Sequence, residues 1–212
     1  MSQLVESILV KNGWFYNLDL HEERMNNAMA KVYGSTAFVE LEDLLYSKLT
    51  QWIKTHGEDA VRGKVKCRVL YEHEVLDVEF APYVTRNIKS LKVVYDDSID
   101  YSIKTADRSA LNKLYEQRGS CDDILIIKNG LVSDAWAANV LFFDGKEWFT
   151  PRKPLLEGTK RRLLLNLEMI KEADIRVEDI PQFQKVRLVN AMLDFDDSID
   201  IDILNVEITI SK

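Results

Sequence analysis

Three short dipeptides, Asn12-Gly13, Asn129-Gly130 and Asp144-Gly145, each stand between two runs of strand-forming residues, and they constrain the fold more than any other feature of the chain. Asx-Gly pairs accept the positive φ that a tight turn between twisted strands requires. The segments "LVESILVKNGWFYN" (4 to 17), "DDILIIKNGLVSDA" (122 to 135) and "NVLFFDGKEWFTP" (139 to 151) therefore read as hairpins. Between them the apolar period changes to that of a helix. Asp19 can cap a helix running to about Gly34, with His21, Met25, Ala28 and Val32 along one face. A second helix is predicted from about Phe38 to Thr55, with Leu41, Leu45, Leu49 and Trp52 inward and Gly57 ending it. Residues 65 to 80 and 89 to 95 read as strands, 107 to 117 and 158 to 172 as helices, 178 to 183 as a helical turn and 203 to 210 as a last strand.

Strands and helices in this mixture predict an α+β protein. No Gly/Ser/Pro linker separates the halves, so topology alone sets a boundary near Asp96 to Asp100. That gives an N-terminal α/β domain over 1–98 and a β-rich α+β domain over 99–212. The pentapeptide "DDSID" occurs at 96 to 100 and again at 196 to 200, but its flanks differ and no repeat follows. A chain of 212 residues, 46% of them hydrophobic, can bury one large core or two modest ones.

A formal charge of -7 argues against nucleic acid or an anionic membrane as partner, because both attract basic surfaces. An anionic small molecule stays possible wherever cations cluster locally. The opening "MSQLVESILVKNGW" has neither a basic stretch nor a sustained apolar one, and no run is long enough to cross a bilayer, so a cytoplasmic location is expected. Cys67 and Cys121 lack metal-ligand spacing and are expected to be reduced thiols, with no metal site.

Several residues invite two readings. Lys104, followed by Asp107 and Arg108, is either a solvated lysine at a strand end or a functional amine. In "PLLEGTKRRLLLNL", Gly158 and Thr159 open a helix whose first turn adds Lys160, Arg161 and Arg162; this is an anion site or a helix with ordinary surface cations. Arg24 in "HEERM" could fork onto a phosphate or simply face water. Asp134 and Asn139 interrupt the apolar "LVSDAWAANVLFF", so that carboxylate pairs with a cation or lies at a turn. Asn190 in "RLVNAMLDF" follows a strand-like run and, alone, is a turn or capping residue.

Taken in order, these segments resemble the class IV aminotransferase family: H-x-x-R on an early helix, a lysine three residues before a D-R pair, an acid and then "AN" in a hairpin, a G-T-x-R helix start, and a late "NAM". The resemblance runs from about residue 4 to 195. It implies the two-domain, fold type IV, D-amino acid aminotransferase-like architecture, with pyridoxal 5'-phosphate in a cleft between the domains, an anionic small-molecule substrate and a homodimer. It further implies that Lys104 forms the Schiff base with the cofactor and that Arg24 contacts its phosphate. Asp134 then pairs with the pyridine nitrogen, where the family carries glutamate, and Asn139 accompanies it. Gly158 and Thr159 form the phosphate-binding helix start, with Asn190, Ala191 and Met192 near the same phosphate.

The departures bear on substrate. Asp134 is one methylene shorter than the family's glutamate. The family's N-terminal arginine and "GDG" are missing before "VESI", and its substrate clamp is replaced by "RVLYEHEVLDVEF", leaving Arg68, Tyr71 and His73 as unmatched candidates. "VNAML" looks more like the 4-amino-4-deoxychorismate lyase segment than the aminotransferase one. The resemblance thus implies a lyase giving 4-aminobenzoate and pyruvate for folate synthesis, with amino acid transamination, or a non-catalytic family member, as alternatives.

Overall fold

The computed structural model describes residues 3–34, 38–195 and 200–208. The chain packs as two compact units, Met1–Thr85 with Ile103–Asp107, and Arg86–Ser102 with Arg108–Lys212. The division expected at 98 to 99 shifts because hydrogen bonding, not sequence order, allots the connecting segment. The strand at Leu91–Tyr95 pairs in parallel with Asp123–Lys128 in the second unit. Residues 103 to 107 instead lie along the first strand of the first unit: Val5 N–H donates to the Lys104 carbonyl and Ala106 N–H to the Gln3 carbonyl, at 3.0 and 2.8 Å.

The first unit is a four-stranded sheet in the order β2-β1-β3-β4, formed by β1 (Leu4–Lys11), β2 (Trp14–Phe15), β3 (Lys64–Tyr71) and β4 (Val75–Pro82). Asn12 and Gly13 take positive φ between β1 and β2, as the Asn-Gly signal requires. Helices α1 (Leu18–Tyr33) and α2 (Glu42–His56) supply Met25, Met29, Leu45 and Leu49 to a core shared with Leu4, Ile8, Val65 and Val69. Burying each such aliphatic side chain contributes roughly 1.5–3 kcal/mol.

Two helix starts differ from expectation. The N-cap of α1 is Asn17, left-handed at φ 55°, and Asp19 lies inside the first turn, where its charge suits the helix dipole. Helix α2 begins at Glu42 rather than Phe38 because α1 captures the preceding backbone. Asn26 Nδ2 donates to the Val39 carbonyl (3.2 Å), Val39 N–H donates to Asn26 Oδ1 (2.8 Å) and Leu41 N–H donates to Glu22 Oε1 (2.6 Å).

The second unit carries nine strands: β5 (Leu91–Tyr95), β6 (Asp123–Lys128), β7 (Leu131–Ala135), β8 (Asn139–Phe143), β9 (Trp148–Pro151), β10 (Lys171–Ala173), β11 (Lys185–Val189), β12 (Asp200–Asp202) and β13 (Val206–Glu207). Their order is β10-β9-β8-β7-β6-β5-β13, with β11 also on β8 and β12 on β11. Strands β7 and β8 are joined at one register pair, Asp134 opposite Asn139. Helix α3 (Ser109–Tyr115) covers β6 through Leu111 and Leu114.

Helix α4 (Thr159–Asn166) stops well before the expected Glu172. Glu168 turns left-handed at φ 55°, Met169 N–H closes onto the Leu164 carbonyl, and the chain leaves as β10 alongside β9. The expected last strand is likewise broken: Asp202 Oδ1 accepts from Leu204 N–H and caps a 3-10 turn at Ile203–Asn205. Residues 209 and 210 of that expectation, and 196 to 199 of the second "DDSID", lie outside the described residues. Cys67 and Cys121 are free and buried, and no helix among the described residues is long and apolar enough to cross a membrane.

Candidate functional site

In the first unit the site grows from one misplaced polar residue. Strand β1 is covered on both faces, and Glu6 sits in it fully buried among Leu4, Ile8 and Val10. Helix α1 brings it two hydrogen-bonding partners, one of them a cation, because His21 and Arg24, three residues apart, share a helix face. His21 Nδ1–H donates to Glu6 Oε2 at 2.7 Å, and Arg24 donates from Nε to Oε1 at 2.9 Å and from Nη2 to Oε2 at 2.5 Å. Burial would raise the Glu6 carboxyl, but Arg24 and His21 outweigh it and hold it at about 2. Burial, joined by the charges of Arg24 and Lys104, pushes His21 below its usual range despite Glu6. His21 is therefore a neutral imidazole at neutral pH.

Lys104 is half-buried on the short segment that runs antiparallel to the start of β1, and its charge is felt at His21. Lys104, His21, Arg24 and Glu6 thus form one charged neighbourhood within the first unit. Glu6 is the residue sequence reasoning missed. Its signal was an acid interrupting "LVESILV", and that acquires meaning only when H-x-x-R arrives on the adjacent helix.

Of the unmatched candidates, Arg68 pairs with Glu79 at 3.1 Å and the His73 ring meets that of Tyr33 at a tilt of 44°, centroids 4.5 Å apart. Tyr71 is a core residue whose hydroxyl burial and Glu6 drive strongly upward in pKa. Among the described residues these three side chains meet three different sets of neighbours.

In the second unit, the β7–β8 turn presents Asp134 and Asn139 side by side. Asn139 Nδ2 donates to Asp134 Oδ1 (2.8 Å) and to the Leu156 carbonyl (2.9 Å), while Leu156 N–H donates to Asp134 Oδ2 (2.9 Å). Asp134 is 5% exposed, and among the described residues no cation is hydrogen-bonded to it. Burial accordingly pushes its pKa up to about 7, against the backbone and Asn139 hydrogen bonds and the more distant Arg161 charge.

Gly158 closes the same corner. A Cβ there would stand 2.0 Å from Asn139 Oδ1, so any larger residue would have to displace the Asn139 side chain. Thr159 follows, buried, as the first residue of the helix.

The cations expected to strengthen this helix start do not. Lys160 is 3% exposed and pairs with Asp194 at 2.8 Å. Arg161 is turned inward onto Glu157 and Glu172, at 2.7 and 2.6 Å, and onto the Pro151 carbonyl. The apolar stripe of so short a helix passes through these positions, and distant carboxylates neutralise them. Asn190 caps a turn through Oδ1, which accepts from Met192 and Leu193 N–H, and its Nδ2 donates to the Ala137 carbonyl in the β7–β8 turn. Ala191 lies within that turn, half-buried.

Asp134, Asn139, Gly158 and Thr159 are thus gathered in one corner, with Asn190 touching the turn that carries the first two. Arg24 and Lys104 are gathered around Glu6. The first unit offers a half-buried amine and an arginine steered by a carboxylate. The second offers glycine-opened helix N–H groups and, among the described residues, a buried carboxylate with no bonded cation, which fits a protonated nitrogen heterocycle whose N–H⁺ would satisfy Asp134.

The amino-transferase class IV family model matches residues 3–195. A Haemophilus influenzae protein described as uncharacterized is 37% identical over 192 residues, 91% of this chain and 98% of that protein. The crystal structure of a Haemophilus somnus protein, provisionally named a 4-amino-4-deoxychorismate lyase, is 35% identical with a TM-score of 0.78, over 91% of this chain and 97% of that one. A Mycobacterium tuberculosis protein described as a hypothetical aminotransferase, in its PLP-bound form, shares the fold at a TM-score of 0.75 and 16% identity, over 94% and 80% of the two chains.

Proposed function

The chain belongs to the class IV aminotransferase family of pyridoxal phosphate-dependent enzymes, and we propose that within this family it is a lyase converting 4-amino-4-deoxychorismate to 4-aminobenzoate and pyruvate. The observation that carries the cofactor assignment is Asp134, a buried carboxylate hydrogen-bonded, among the described residues, only to neutral donors. Bound pyridoxal phosphate supplies an electron sink for the pair left when a proton departs from the amine-bearing carbon.

The protein's own groups then have separate tasks. Asp134 would keep a proton on the ring nitrogen, and Asn139 with the Leu156 N–H fixes where that carboxylate points. Arg24, steered by Glu6, would hold the phosphate, as would the backbone that opens at Gly158 and Thr159. Lys104 would hold the cofactor through its amine and, when free, would carry the proton. In the lyase reaction the proton leaves the amine-bearing carbon, the enolpyruvyl oxygen departs with the electrons of its ring C–O bond, and the enolate so released takes up a proton at carbon to become pyruvate.

Two features favour the lyase over a transaminase. The Haemophilus somnus relative that carries the lyase name is 35% identical over nearly its whole length. Arg68 and His73, which would have to clamp an amino acid carboxylate, are engaged elsewhere, with Glu79 and Tyr33. The reading includes a homodimer, a cytoplasmic location and a place in folate synthesis.

The test is an absorption spectrum with pyridoxal phosphate, followed by borohydride reduction and peptide mapping. The cofactor should become fixed on Lys104, and aminodeoxychorismate should then release pyruvate. A label scattered over surface lysines overturns the cofactor assignment. Conversion of the cofactor to its pyridoxamine form by an amino acid, without pyruvate release from aminodeoxychorismate, replaces the lyase with a transaminase.

A further inference from the structure

The β7–β8 turn is held far more firmly than a short turn requires. Its own closure is the Ala135 N–H to Ala138 carbonyl bond at 2.9 Å. Beyond that, every polar handle of Trp136, the residue between the Asp134 and Asn139 positions, is engaged from outside. Its N–H donates to Asp123 Oδ1 (3.2 Å), its indole Nε1–H to Asn112 Oδ1 (3.0 Å), and its carbonyl accepts from Arg108 Nη2 (2.5 Å). The guanidinium of Arg108 also stands 4.8 Å from the Trp136 ring centroid, and that of Arg86, which pairs with Asp123 at 3.0 Å, stands 5.3 Å from it. All of these groups belong to the second unit.

Arg108 is the informative member. Among the described residues its buried Nε has no hydrogen-bond partner, an arrangement that costs stability. A side chain kept for stability alone would turn that donor to a partner. Arg108 is instead oriented so that one planar group covers the indole and grips the carbonyl of the same residue, which a lysine cannot do. The residue so gripped is the one next but one to Asp134.

We infer that Arg108 is a positioning residue for Asp134, acting through Trp136, so that the carboxylate is held in its dry corner ready for the ring nitrogen of the cofactor. The inference rests on the proposed role of Asp134, but it concerns the placement of that carboxylate and so can be read without any cofactor. Charged groups around Asp134 are Arg161 from α4, which favours its ionised form, Asp123 on the adjacent β6, and Glu157, which is paired with Arg161. The burial that keeps Asp134 protonated to unusually high pH depends on the turn staying closed over it.

The experiment is urea denaturation of the cofactor-free protein across pH, in two backgrounds, each with and without Asp134→Asn. The backgrounds are the unmodified protein and Arg108→Gln. Subtracting the Asp134→Asn curve isolates the titration of Asp134 from that of Asp123 and every other group. If Arg108 positions the turn, water reaches Asp134 in the Arg108→Gln background, and the isolated midpoint falls by at least about one pH unit toward the ordinary aspartate value. Arg108→Lys should not restore it. If Arg108 is structural only, Arg108→Gln lowers stability equally at every pH, the isolated midpoint stays where it was, and the inference is overturned. Because no cofactor is present, failure of pyridoxal phosphate to bind would refute the proposed function and leave this result standing. If Arg108→Gln does not fold, Arg108→Lys, which keeps the charge but loses the planar grip, takes its place and should shift the isolated midpoint in the same direction; no shift would overturn the inference.

Discussion

Replacing Asp134 by asparagine should change how the cofactor-free protein responds to pH, and the sign and size follow from its surroundings. In the folded chain burial raises the carboxyl from 3.8 to about 7. The folded state therefore holds a proton that the unfolded state has already released between those values, so Asp134 makes the protein less stable as pH rises through that window. About three pH units, at about 1.4 kcal/mol each, give roughly 4 kcal/mol between pH 4 and pH 8. Asparagine is neutral throughout and removes that slope. It also sets an amide NH₂ against either Asn139 Nδ2 or the Leu156 N–H, both of which now donate to Asp134, at a pH-independent cost of about 1–3 kcal/mol.

The variant should consequently be less stable than the parent near pH 4 and as stable or more so near pH 8. His21 works in the opposite direction: its folded pKa is lowered, so it adds stability that is present above its ordinary range and is lost as pH falls. Asp123, raised by burial against Arg86, adds to the Asp134 trend. Only the difference between parent and variant, from urea midpoints at several pH values, isolates Asp134. Parallel curves, differing by less than about 1 kcal/mol in slope across the window, would refute the claim that this carboxylate is buried without a cation.

Other substitutions probe the remaining groups. Lys104→Ala should abolish turnover and borohydride labelling while shifting stability by no more than about 1 kcal/mol, since the side chain is half-buried; a urea midpoint and a pyruvate assay check both. Glu6→Gln leaves Arg24, only 16% exposed, without its carboxylate, and should cost about 3 kcal/mol at pH 7 by chemical denaturation. That loss should shrink as pH falls from the ordinary glutamate value toward about 2, where Glu6 itself takes up a proton. Gly158→Ala must displace Asn139, whose Oδ1 would lie 2.0 Å from the new Cβ; a destabilisation of about 1–3 kcal/mol and weakened pyridoxal phosphate binding are expected, and an unchanged affinity would separate this corner from the cofactor.

The hairpins were legible because their information is local. An Asx-Gly pair sets the turn, and the strands on either side need only pair with each other. The start of α2 was not, because Glu22 and Asn26 on another helix hold residues 39 and 41 out of it. The same distinction governs the site. Lys104, Arg24 and the Gly158 corner stood out through their order along the chain. Glu6 did not, because its meaning lies in partners 15 and 18 residues away. Lys160 and Arg161 misled for the same reason: cations at a helix start look like part of an anion site until Asp194 and Glu172 arrive from remote segments to neutralise those side chains.

The two buried carboxylates, Glu6 and Asp134, show what burial leaves undecided. Both have lost nearly all contact with water, yet one carboxyl is held at about 2 and the other is raised to about 7. The difference is the charge of what they touch. Glu6 has an arginine and a histidine at hydrogen-bond distance, whereas Asp134 has an amide and a peptide N–H. At an effective dielectric of about 20, a unit positive charge about 3 Å away is worth roughly 5–6 kcal/mol, or about four pH units. That exceeds the rise of about three units that burial imposes on Asp134. A protonated ring nitrogen at that distance would therefore return Asp134 to its ionised form at neutral pH, and the carboxylate would in turn hold the proton on the nitrogen. Neither group has that stability alone, and in this way the proposed role of Asp134 accounts for a carboxylate so costly to bury.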